Sequence, residues 1–126
     1  EIVEVLKKMG HEVADHGCYS ALSVDYPDFA KLVARDVQGK TCDFGILICG
    51  TGIGMAITAN KFKGVRAASL TDVYSTLMAR KHNDLNVLCL GSRVLGAGLA
   101  ALIVETFLAT EFEGGRHVAR VGKIES

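Results

Sequence analysis

The chain has 126 residues, 14 Lys plus Arg against 14 Asp plus Glu, and 49% hydrophobic side chains, the make-up of one compact domain that buries roughly two-thirds of its unfolded surface and is not disordered. A formal net charge of zero excludes the clustered Lys and Arg excess that a broad nucleic-acid footprint needs. No apolar run reaches the roughly 18–20 residues of a membrane span, and no charged start followed by an apolar stretch marks a secretory signal, so the expected compartment is the cytoplasm.

The chain opens on a helix: Ile2, Val3, Val5, Leu6 and Met9 follow a helical period, and Gly10 stands at the C-cap. An α/β domain usually places a strand before its first helix, so a further segment is expected ahead of Glu1. Residues 11–14 read as a short strand and 15–23 as a polar loop. Pro27 suits the first helical position and Asp25 or Tyr26 the cap. Phe29, Ala30, Leu32, Val33 and Val37 then form an apolar stripe against the sheet, stopped by Gly39.

FGILICG, residues 44–50, is apolar without alternation, as in a parallel strand buried on both faces. A strand over residues 65–70, a helix over 72–81, a strand over 86–90 and a helix over 94–109 follow. The last of these carries Leu95, Leu99, Leu102, Ile103 and Phe107 at helical spacing. The tail from Glu111 is more polar and is expected to be exposed. With one proline, no repeats and no low-complexity tract, residues 1–126 read as a single α/β domain. The alternation predicts a Rossmann-like, doubly wound parallel sheet in three α/β/α layers, binding at the strand C-termini.

The strongest local signal is ICGTGIGMAITANK. A buried strand ends at Cys49, and Gly50, Gly52 and Gly54 lead into a helix whose N-terminus favours an anion. A thiol there should ionise more easily, which makes Cys49 a base or nucleophile; the competing reading is a small buried apolar side chain. Thr51 offers a hydroxyl to an oxyanion or serves as an ordinary cap. The loop is not a phosphate-binding GxxxxGK motif, and its third glycine comes one place early for a dinucleotide fingerprint.

In KHNDLN, residues 81–86, His82 and Asn83 fall where a helix gives way to a strand. His82 is a general acid or base, or a helix C-cap. Arg116 and Arg120, one helical turn apart in GGRHVAR, are placed to grip one phosphate or to form a solvated basic face, with Arg93 as a third cation. Cys18, Cys42, Cys49 and Cys89 contain no CxxC pair and no zinc spacing, so reduced thiols and no metal site are expected.

Taken in order, VDYPDFA, GILICGTGIGMAITANK, GVRAA, ARKHNDLNVLCLGSRV and FEGGRHVARV make the chain resemble ribose-5-phosphate isomerase type B, within the ribose/galactose isomerase family, over about residues 24–121. The resemblance implies a cofactor-free and metal-free aldose–ketose isomerase that interconverts ribose 5-phosphate and ribulose 5-phosphate through an enediolate in the pentose phosphate pathway. It further implies Cys49 as the base between C1 and C2, His82 as the acid that opens the furanose ring, and Gly50, Thr51, Gly52, Ile53 and Gly54 as the oxyanion loop. Tyr26 and Asn83 would contact the substrate, and Arg93, Arg116 and Arg120 would hold its phosphate. Family members are dimers or tetramers with shared active sites, so a homodimer is the minimum expectation, with a sugar phosphate as the small-molecule partner and neither nucleic acid nor membrane. The family's first strand and its SDHxG-like loop have no counterpart in this chain. Galactose-6-phosphate or allose-6-phosphate isomerisation, a non-catalytic phosphosugar-binding module, and redox sensing through Cys49 are the competing readings.

Overall fold

The computed structural model describes residues 2–14 and 26–126. In chain order the elements are α1 (Ile2–Lys8), α2 (Tyr26–Gln38), β1 (Gly45–Cys49), α3 (Ile53–Ala59), β2 (Ala67–Ser69), α4 (Val73–Asn83), β3 (Val87–Gly91), α5 (Ala97–Ala109) and α6 (His117–Glu125). The strands pair in the order β1-β3-β2, all parallel, with Cys49 opposite Gly91 and Ala67 opposite Val87. Among the described residues no helix is long and apolar enough to cross a membrane.

Alternation along the strands sorts the side chains into two cores, because successive residues point to opposite faces. Leu47, Ala67, Val87 and Cys89 pack with Ala30, Ala34 and Val37 of α2 and Met55, Ala56 and Ala59 of α3. On the other face Leu88 and Leu90 pack with Ile103, Val104 and Phe107 of α5, Ala79 of α4, and Ile2, Val5 and Leu6 of α1. The result is the expected three-layer arrangement. β2 is an edge strand, and the Asn60 side chain caps its edge by exchanging two 2.8 Å hydrogen bonds with the Ala67 backbone.

Several local expectations change. Residues 11–14 form no strand, because no strand among the described residues lies beside them to complete a ladder. The loop expected over 15–23, and with it Cys18 and Asp25, lies outside the described residues. Tyr26 is the first residue of α2 rather than its cap, and Leu32 faces solvent while Ala34 takes the buried place. Ile48 is 45% exposed, so β1 is not covered on both faces along its whole length. On α5 the sheet-facing stripe runs through Ala100, Ile103, Val104 and Phe107, leaving Leu99 and Leu102 exposed. This helix is apolar nearly all round, so spacing alone could not choose its buried side. The tail is not wholly exposed either: α6 packs against α4 and buries His117.

The turn from α4 into β3 is held by Arg80, which is 5% exposed. Its guanidinium donates to Leu85 O at 2.6 Å, to Asp84 Oδ1 at 2.9 Å and to Thr110 O at 3.0 Å, with the Phe44 ring 5.0 Å away. Asp84 itself takes a left-handed conformation, φ +49°, that an Asp tolerates. Arg80→Met leaves these acceptors without their donor; we expect it to cost about 2–3 kcal/mol of stability. A urea-unfolding midpoint equal to that of the wild type would contradict this.

Candidate active site

Cys49 ends β1 at the C-terminal edge of the sheet, and the chain then turns tightly over the end of β3. Ser92 N donates to Cys49 O at 2.7 Å and Arg93 N to Gly50 O at 3.1 Å. Gly52 lies at φ +80°, and a Cβ there would stand 2.8 Å from Ser69 Oγ and 3.1 Å from the Leu90 carbonyl carbon. Only glycine fits both the conformation and the space. The geometry turns the Gly52 N–H back onto Cys49 Sγ at 3.2 Å, a donor suited to developing charge on sulfur.

The rest of the loop is arranged around that bond. Thr51 Oγ1 accepts from Ile53 N at 3.2 Å, just ahead of α3, whose N-cap is Gly52. Ser69 Oγ donates to Thr51 O at 2.8 Å and ties the loop to the end of β2. The amides of Gly50, Thr51 and Gly54 have no acceptor among the described residues. Tyr26 lies so close over Gly54 that any Cβ at that position would overlap its phenol, and the Arg93 side chain runs beside Gly50. Cys49, Gly50, Thr51, Gly52, Ile53, Gly54, Tyr26 and Arg93 therefore form one cluster. Ser69 joins it unforeseen; its only signal in the sequence is a hydroxyl closing the short run of alanines in β2.

Beneath the loop, Cys89 is fully buried, and Cys42, Cys49 and Cys89 are all free thiols. Burial, and secondarily the neighbouring Cys49, push the Cys89 thiol from its ordinary value of 9.0 up to about 12. Cys42, away from this cluster, is also raised, first by burial and then by Asp36, Asp43 and Glu12.

His82, Asn83, Arg116 and Arg120 form a second cluster. His82 and Asn83 occupy the last turn of α4, where Asp84 rather than His82 is the C-cap. Arg116 precedes α6 and Arg120 follows one turn later, both exposed. Between them His117 is 3% exposed and stacks on His82, with ring centroids 4.2 Å apart and planes at 15°. Its signal in the sequence is a histidine set between the two arginines of GGRHVAR. Glu113 N donates to Lys81 O at 3.0 Å and fastens the segment before α6 to α4.

The two clusters do not meet within one chain. Cys49 lies level with Gly91, the last residue of β3, whereas His82 lies just before Val87, its first. Four strand steps at roughly 3.3 Å put about 13 Å between those two levels. Arg93 stands with Cys49, while Arg116 and Arg120 stand with His82, so the three arginines expected around one phosphate are divided.

The family model described as Ribose/Galactose Isomerase matches residues 1–124. Ribose-5-phosphate isomerase B of Escherichia coli is 51% identical over 124 residues, covering 98% of this chain and 83% of that protein. The structure of Clostridium thermocellum ribose-5-phosphate isomerase B superposes with a TM-score of 0.95 at 55% identity, covering 98% and 84% of the two chains. The Mycoplasma genitalium ribose-5-phosphate isomerase B with bound ribulose-5-phosphate gives 0.92 at 46% identity, covering 98% and 82%.

The raised Cys89 thiol carries a pH signature. The unfolded chain releases this proton near pH 9, the folded one only near 12, so the stabilisation is complete below pH 9 and is lost progressively as pH rises toward 12. Between pH 8 and 11 the thermal midpoint is expected to fall more steeply for the wild type than for Cys89→Ala. Parallel slopes would contradict it.

Proposed function

The chain belongs to the ribose/galactose isomerase family, and from that premise we propose that it interconverts ribose 5-phosphate and ribulose 5-phosphate through an enediolate, without a cofactor, in the pentose phosphate pathway of the cytoplasm. The observation that carries the reading is the Cys49 sulfur at the strand edge, with the Gly52 N–H on it at 3.2 Å and, alongside, loop amides that have no acceptor among the described residues. As thiolate, Cys49 takes the proton from C2 of the open-chain aldose. The C–H electron pair becomes the C1–C2 double bond, and the carbonyl pair moves onto O1. The loop amides and the Thr51 hydroxyl donate to that oxyanion, which strengthens as charge develops. After a proton passes between the two oxygens, the Cys49 thiol returns its proton to C1 and the carbonyl re-forms at C2.

His82 opens the furanose ring before this step, acting on the ring oxygen and the anomeric hydroxyl. No described residue hydrogen-bonds its ring, which stacks on His117. Asn83 and Tyr26 contact the sugar, and the arginines hold the phosphate, whose remote binding energy positions C1 and C2.

Because a single chain separates Cys49 from His82 by the length of β3, the working enzyme is a homo-oligomer in which His82, Asn83, Arg116 and Arg120 of one copy complete the Cys49 cluster of another. Exposed apolar side chains support association: Ile53 and Ile57 on successive turns of α3 are 56% and 58% exposed, and Tyr74 on α4 is 70% exposed.

Cys49→Ala tests the reading. Since a base acts in the transition state, the variant is expected to lose ribose 5-phosphate turnover by about a thousandfold or more while substrate affinity stays within a few-fold. Ketose absorbance and calorimetry measure the two. Retained turnover would remove Cys49 from the mechanism.

A further inference from the structure

His82 is held in an unusual way for a group that must present a nitrogen accurately. A catalytic histidine is normally oriented by a hydrogen bond to one ring nitrogen, yet among the described residues His82 has none. Its ring plane is set by the stack on His117. His117 is itself immobilised: it is 3% exposed, begins α6, and sits in a segment tied to α4 by Glu113 N to Lys81 O at 3.0 Å and by Arg80 Nε to Thr110 O at 3.0 Å.

The nitrogens of His117 contribute little to that hold. Its Nε2 is buried with no hydrogen-bond partner among the described residues, the Glu113 carboxylate standing 3.4 Å away in ion-pair range only. A buried ring nitrogen left in this state needs an explanation, and the ring face supplies one. His82, Glu113 and His117 also bring three potential metal ligands within 4.8 Å of one another. Imidazole lone pairs lie in the ring planes, however, and planes only 15° apart aim them side by side rather than at one point about 2.1 Å from both. The arrangement braces a ring; it does not cage a cation.

We propose that His117 is the positioning residue for His82, its buried ring fixing by stacking the plane in which His82 meets the sugar ring. The proposal rests on the reading of His82 as the ring-opening group. It separates two parts of the reaction, because ribose 5-phosphate must be opened while ribulose 5-phosphate, with its 5-hydroxyl esterified, is already acyclic. A defect in His82 placement should therefore slow conversion of the aldose and spare proton exchange by Cys49 on the ketose.

The test compares the wild-type chain with His117→Ala and His117→Phe in two assays: conversion of ribose 5-phosphate, and deuterium incorporation at C1 of ribulose 5-phosphate in heavy water. For His117→Ala, kcat on ribose 5-phosphate is expected to fall about tenfold or more with KM within about twofold, and exchange to stay within about twofold of wild type. His117→Phe keeps a stacking face and gives up no hydrogen bond, so it should recover most of the lost kcat. The inference is overturned if His117→Ala converts ribose 5-phosphate at the wild-type rate, if His117→Phe is no better than His117→Ala, or if exchange falls together with conversion. A wild-type chain inert in both assays would instead overturn the isomerase reading itself, and the inference with it.

Discussion

Parallel pairing of β1, β3 and β2 sends all three strand C-termini to one edge of the sheet, so a helix that links two of these strands must carry the chain back to the other edge. β1 ends in Cys49 and hands the chain to the glycine loop. α4 starts at the same edge, capped by Asp72, whose side chain accepts from Ser75 N, and ends at the opposite one with His82 and Asn83. The Arg80 contacts to Asp84, Leu85 and Thr110 lock that far corner. The division of the functional groups into two clusters follows from this geometry rather than from any single contact.

Each cluster is built by a different kind of force. Around Cys49 the backbone is decisive: a left-handed glycine turns one amide onto sulfur, and Ser69, Ser92 and Arg93 anchor the neighbouring carbonyls. Cys89, fully buried in β3 beneath the loop, is pushed up to about 12, chiefly by burial. Around His82 packing is decisive, since the stack on His117 fixes the ring and no described residue hydrogen-bonds its nitrogens. A base needs stabilised charge and an acid–base group needs an open nitrogen, so the contrast suits the proposed roles.

Much of this was legible in the sequence because it is local. The run GILICGTGIG announces a buried strand entering a glycine turn, and Cys49 with its loop amides follows directly; KHNDLN likewise marks a helix end with turn formers, and Asp84 takes the left-handed cap. What escaped depends on partners distant in sequence. Residues 11–14 have no described ladder neighbour, Leu99 and Leu102 sit on a helix apolar nearly all round, and Arg93 is separated from Arg116 and Arg120 by the length of β3. His117 stands between two arginines whose spacing signals an exposed face, whereas the start of α6 turns this one residue inward.

The central claim, that one site takes Cys49 from one copy and His82 from another, is tested most directly by mixing two inactive variants. Cys49→Ala and His82→Asn chains are unfolded together, refolded as a mixture and assayed on ribose 5-phosphate. In a dimer with shared sites, random association places one fully wild-type site in each mixed dimer, and about a quarter of wild-type activity should return. A mixture as inactive as either variant refolded alone would show that the two residues do not meet across copies.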